Sequence, residues 1–250
     1  MSKHWLVIIG ITLLTGCASG LQVVKYVGTG GGKSPCKDYH PVMASFSGCQ
    51  VPNFGITDEN VNDKAHDGRC FAFGAIEMGK FEMFDTLLRH GISLEECKWW
   101  QRGRIFVDRQ RTEEIPKEFW RSWIHGRGCD DLRFPERFKA LGFEAMNAQE
   151  MLFYALNRHC LSATRMALEL GADPNKANQE GSLPLHKVGL GETDFAELLI
   201  DSGADPFLVV PGRLSPYEQR KQLSSEDFKE DWLKLEAVFN RAKKAPAPTQ

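Results

Sequence analysis

The residues of this chain best equipped for chemistry are its seven cysteines and seven histidines. A nucleophilic enzyme sets a cysteine or serine beside a base, and a metal site gathers thiolates and imidazoles at short, fixed spacing. The cysteines stand at Cys17, Cys36, Cys49, Cys70, Cys97, Cys129 and Cys160, with no C-x-x-C pair and no close His/Cys cluster. His66, His90, His125 and His159 fall beside expected turns, and no G-x-S-x-G, H-E-x-x-H or Cys/His nucleophile signature accompanies them. One segment imitates a phosphate loop, Gly28-Thr29-Gly30-Gly31-Gly32-Lys33-Ser34. A Walker A motif needs its first glycine at position 27, which is Val27, so the spacing is one short and the segment reads as a flexible tether. The chain is therefore expected to have no catalytic residue, no metal and no cofactor.

The N-terminus sets the compartment. Lys3 and His4 precede an apolar run from Trp5 to Leu14, too short to span a bilayer. It ends in Leu14-Thr15-Gly16-Cys17, which resembles the lipobox of a bacterial lipoprotein signal. That resemblance implies cleavage before Cys17, lipidation of its thiol and attachment to a membrane. More than one acyl chain anchors stably, at about 0.8 kcal/mol per buried methylene. Ala18-Ser19, rather than an aspartate, follows the cysteine, which favours the outer membrane, with the protein facing the periplasm. In that oxidising compartment the six remaining cysteines, Cys36, Cys49, Cys70, Cys97, Cys129 and Cys160, are disulfide candidates. Cys36 with Cys49 closes a short loop and Cys70 with Cys97 clasps a helix pair, but spacing does not choose among the pairings.

The organisation is repetitive. Gly171-Ala172-Asp173-Pro174 recurs as Gly203-Ala204-Asp205-Pro206, 32 residues on. Before Gly203 stand Leu183-Pro184-Leu185-His186 and Leu198-Leu199; before Gly171 stand Leu152, Ala155 and Leu168. Ala75, Gly79, Leu87-Leu88 and Gly91 fall in the same frame. These residues resemble the ankyrin signature, with His159-Cys160 where its helix-helix turn carries Gly-His. The resemblance implies an all-α solenoid of four to five helix-pair units, each burying its apolar face only against its neighbours. His186 is expected to hydrogen-bond to a neighbouring turn, and the glycines to end helices.

Gly212 to Tyr217 begins a further unit, and Phe228, Trp232, Leu235, Val238 and Phe239 recur at helical spacing as a capping helix. The expected boundaries are a signal at 1–16, a lipidated tether and cap at 17–65, a repeat domain at 66–242 and a disordered tail at 243–250. Residues 95–149 fit the repeat least. Helices are expected around Pro116 to Ile124 and Phe134 to Leu141, as a divergent unit. The insertion carries Trp99, Trp100, Arg102, Arg104, Trp120 and Trp123, and tryptophan and arginine are the residue types enriched at interface hot spots. These six are the candidate partner-binding residues; the alternative reading is that the tryptophans fill the core of an irregular insertion.

A formal net charge of −2 gives no electrostatic footprint for nucleic acid. Protein binding from a lipid anchor is the expected function. The chain resembles the ankyrin-type lipoproteins that accompany lipase or phospholipase effectors of type VI secretion, which implies an immunity protein that neutralises such an effector. An envelope-assembly or enzyme-tethering adaptor is the alternative, and an envelope lipid-binding lipoprotein a third.

Overall fold

The structure, a computed structural model, describes residues 41–46, 52–63, 70–94, 97 and 115–242. Its helices are α1 (Pro41–Phe46), α2 (Phe71–Glu77), α3 (Phe81–Arg89), α4 (Ile115–His125), α5 (Arg133–Ala140), α6 (Ala148–Asn157), α7 (Leu161–Glu169), α8 (Thr193–Asp201), α9 (Pro216–Leu223) and α10 (Lys229–Ala242). Three pairs, α2–α3, α4–α5 and α6–α7, are followed by a 3-10 turn (Pro184–Lys187) with α8 and then by α9–α10. The described part is an ankyrin-type helical solenoid, and no helix in it is long and apolar enough to cross a membrane.

One hydrogen-bond pattern ends four second helices. The amide of a left-handed glycine bonds three residues back and the next amide five back: Gly91 to Leu88 and Ile92 to Leu87, Gly142 to Lys139 and Phe143 to Phe138, Gly171 to Leu168 and Ala172 to Ala167, Gly203 to Ile200 and Ala204 to Leu199. This is the Schellman closure, which satisfies carbonyls that the helix leaves open. First helices end the same way at Gly79 and at His159, whose φ of 55° places a β-carbon where glycine is usual. The ankyrin frame thus keeps its geometry where the sequence abandons its residue.

Successive units are tied by bonds spanning about one repeat. The Ser93 amide donates to Asn62 Oδ1 (2.7 Å), Ser162 Oγ donates to Asp130 Oδ1 (2.8 Å), and Arg213 Nη2 donates to the Glu180 carbonyl (2.8 Å). The residue separations are 31, 32 and 33. The repeat is therefore a physical ladder as well as a sequence period.

The core changes character along the stack. Between α2–α3 and α4–α5 it is aromatic: Phe73, Phe84, Phe119, Trp120, Trp123, Phe134 and Phe138 are fully buried. Phe73 stacks on Phe119 at 4.5 Å, and Trp120 meets Phe138 edge-on at 5.3 Å. Each such ring contributes about 1.5–3 kcal/mol by burial. Here the structure corrects the expectation for Trp120 and Trp123. They are core residues inside a regular helix pair, and Trp123 Nε1 donates to the Gly128 carbonyl at 3.0 Å. A partner does not reach them. They are buried because α4 must cover two neighbours with an apolar face and has tryptophan on it.

Two further differences concern the later units. The segment with the fullest ankyrin signature forms only the 3-10 turn Pro184–Lys187 in place of a first α-helix. A residue is missing there relative to the repeat, Val188 is extended, and Gly189 and Gly191 are poor helix formers. In α10, Trp232, Leu235, Val238 and Phe239 are buried as the spacing predicts, but Phe228 lies in the preceding 3-10 turn and is 51% exposed.

Candidate functional site

Two loops project between units. The first follows Gly171-Ala172. The Asn175 amide bonds Asp173 Oδ1 (2.8 Å), the Asn178 amide bonds the Ser182 carbonyl (2.9 Å), and Gly181 turns at φ 73°. The second repeats the design: the Phe207 amide bonds Asp205 Oδ1 (2.8 Å), the Arg213 amide bonds the Val210 carbonyl (3.1 Å), and Gly212 turns at φ 77°. Short polar side chains that bond their own backbone fix such turns in advance, so less loop entropy is lost on binding.

The two loops share a shape and differ in chemistry. Pro174-Asn175-Lys176-Ala177-Asn178-Gln179-Glu180 is polar, whereas Pro206-Phe207-Leu208-Val209-Val210-Pro211 is almost wholly apolar. Phe207 packs on Tyr217 at 5.0 Å, which roots the second loop on α9. Val209 at 64% and Leu214 at 42% exposure remain in solvent. A loop fixed by its own backbone bonds, with aliphatic side chains that nothing among the described residues covers, is a surface suited to a protein partner. Arg213 bonds the Glu180 carbonyl through Nε as well, which ties the two loops together. Just past α6 the Arg158 guanidinium lies 5.6 Å from the centre of the Tyr154 ring, adding residue types found at interface hot spots.

His186 holds the base of this surface. Its Nδ1 accepts the Leu183 amide at 2.8 Å, so Nε2 carries the proton and donates to the Leu214 carbonyl at 2.9 Å. Both ring nitrogens are used by a neutral imidazole, and burial lowers the pKa. The Arg220 guanidinium donates to the His186 carbonyl at 2.6 Å, and burial lowers its pKa too. The expected bond from His186 to a neighbouring turn is therefore present.

A second cluster was invisible in the linear sequence. Cys129 Sγ, a carboxylate oxygen of Asp130 and Cys160 Sγ all lie within 4.8 Å of one another. Residues 129 and 160 are one repeat apart, so stacking brings together what spacing alone had separated. Cys160 is buried and Cys129 half-buried, and both are thiols. Cys70 and Cys97 are joined, with an S–S distance of 2.01 Å. Cys17, Cys36, Cys49, Trp99, Trp100, Arg102 and Arg104 lie outside the described residues.

From the sequence, the turns near Asp173 to Gly181 and Asp205 to Gly212 are the second choice of interface after the insertion, with nothing made of the apolar character of the second. Its signal was nonetheless present, as Phe207 to Val210 where the preceding unit has Asn175 to Asn178.

Comparison with known proteins places the repeat in context. No protein-family model matches the chain. It is 39% identical over 61 residues to cyclin-dependent kinase 4 inhibitor B of Bos taurus, and 38% identical over 61 residues to those of Rattus norvegicus and Mus musculus. The matched stretch is 24% of this chain, and it spans about half the length of these relatives, 47%. What the chain shares with these inhibitors is the ankyrin repeat.

Proposed function

We propose that this protein is a non-enzymatic binding module, held to the outer membrane by a lipidated Cys17 and facing the periplasm, and that it neutralises a toxic lipase-type effector of type VI secretion. The observation that carries the binding role is the preorganised loop at 206–214, whose Val209 and Leu214 side chains stand in solvent. The partial match to ankyrin-repeat inhibitors supports protein binding, the part of this reading that rests on the repeat. Effector identity is written in the segment joining α3 to α4, where Trp99, Trp100, Arg102 and Arg104 interrupt the repeat. The lipobox-like Leu14-Thr15-Gly16-Cys17 supports the anchor.

The test is a pull-down with a lipase-type effector encoded beside this gene. Val209→Asp with Leu214→Asp is expected to weaken capture more than tenfold while leaving the melting curve unchanged. Undiminished capture by that variant would remove the apolar loop from the interface. Membrane fractionation of Cys17→Ser is expected to find the protein released. A variant still in the outer membrane would remove the lipid anchor.

A further inference from the structure

We propose that Cys129 and Cys160 are a dithiol that closes to a disulfide, covalently stapling the helix-helix turn of the α4–α5 unit to that of α6–α7. Three observations place the pair. The residues are 31 apart, the separation of the non-covalent ties that join successive units. Cys160 Sγ already lies 3.5 Å from the Cys129 carbonyl oxygen, and the two sulfurs lie within 4.8 Å of each other. The neighbouring tie, Ser162 Oγ to Asp130 Oδ1 at 2.8 Å, holds the same two turns together, so the sulfurs need only a local approach.

The two thiols are unequal in a way that orders the reaction. Cys129 is half-buried, and the hydrogen bond from Cys160 lowers its pKa; Cys160 is buried, and that same contact together with burial raises its pKa. Cys129 is thus the accessible nucleophile and Cys160 the resolving thiol. The oxidant is a dithiol-disulfide or glutathione-type disulfide. The Cys129 thiolate, having released its proton, attacks one oxidant sulfur; the oxidant S–S bond breaks and one thiolate leaves. Cys160 then loses its proton and attacks the Cys129 sulfur of the mixed disulfide, forming the Cys129–Cys160 bond and expelling the second thiolate. Two protein thiols are oxidised, one disulfide is reduced, and the two protons pass to the two expelled thiolates.

A metal ion is a poorer occupant of the cluster. Among the described residues only three donors converge, and Asp130, the third, is exposed and already accepts the Ser162 hydroxyl. Structural zinc takes four ligands.

The experiment equilibrates the purified full chain with graded mixtures of oxidised and reduced glutathione, blocks free thiols by alkylation and maps the non-reduced peptides by mass spectrometry. The expected result is a pair of peptides joined through Cys129 and Cys160, two hydrogens lighter than the separate thiols. Brief alkylation of the reduced chain is expected to label Cys129 before Cys160. The closed form is expected to melt about 5 °C or more above the reduced form, since the link closes a loop of one repeat. The inference is overturned if both thiols remain alkylatable at every ratio, if Cys129 stops as a glutathione mixed disulfide with Cys160 free, or if either is linked to Cys36 or Cys49. It is also overturned if one zinc ion bound to the reduced chain shields both thiols from oxidant and alkylating agent.

Discussion

Asn175 holds Asp205 of the following unit: its Oδ1 accepts the Asp205 amide at 2.7 Å, while its Nδ2 donates to the Gly203 carbonyl at 2.8 Å. One side-chain amide thus satisfies two backbone groups 28 and 30 residues away. Gln149 does the same one unit earlier, accepting the Asp173 amide at 3.0 Å and donating to its carbonyl at 3.1 Å. In the last loop the equivalent position is Phe207, which packs on Tyr217 instead, and there the ladder ends.

Replacing Asn175 with alanine removes both bonds and leaves two exposed backbone groups to water. The expected loss is about 1–2 kcal/mol, read as a lower urea midpoint with an unchanged slope. A midpoint equal to wild type would show that stacking of the helices alone fixes the loop.

Gly128 is the tightest backbone contact between the first two helix pairs. A β-carbon there would sit 2.5 Å from the Gly79 Cα, and one at Gly126 would sit 2.8 Å from the Glu77 Cα. The Arg127 amide bonds the Glu77 carbonyl at 2.8 Å between them. Gly128→Ala is therefore expected to destabilise by about 1–3 kcal/mol, the scale of overpacking, in a thermal or urea melt. Wild-type stability in that variant would show that the two turns have room to separate.

His159 occupies a left-handed position that its counterpart Gly79 fills without a side chain. A non-glycine residue in that conformation costs about 1 kcal/mol or more. Its Nδ1 pairs with Glu192 Oε1 at an exposed site, a contact that gives little back. His159→Gly is expected to raise stability by up to about 1 kcal/mol. A variant less stable than wild type would mean that the Glu192 pair outweighs the backbone strain.

His186 gives the stack a pH dependence with a definite sign. Its folded pKa lies below the usual 6.5 because burial disfavours the imidazolium, so the unfolded chain binds this proton first. The contribution is present above about pH 6.5 and is lost as the pH falls through the lower folded value. The unfolding free energy is expected to fall more steeply between about pH 7 and 5 in wild type than in His186→Asn. Parallel pH profiles for the two proteins would contradict the neutral, doubly bonded imidazole.

The period of the glycines carried most of the fold in the linear sequence, because each marks a helix end where a left-handed backbone is required. Gly79, Gly171 and Gly203 could be read that way, and His186 could be paired with a neighbouring turn. Position 159 was seen as an exception, and the structure shows why it is tolerated: the closure depends on backbone amides. The role of Trp120 and Trp123 was not legible, since a tryptophan suits a hot spot and an aromatic core equally well. Only the position of α4 between two pairs decides it. Gly126 and Gly128 carried no period, and their contact with the preceding unit appears only when the turns stack. The Cys129–Cys160 pair escaped for the same reason.

The proposed role of this solenoid is to bind and silence an effector through its loop face. The most direct measurement is a calorimetric titration of the purified chain with the lipase-type effector encoded beside its gene, with lipase activity followed in the same mixtures. A one-to-one complex is expected, with loss of lipase activity at equivalence and binding weakened more than tenfold by Val209→Asp with Leu214→Asp. No heat of binding and full lipase activity at excess chain would contradict it.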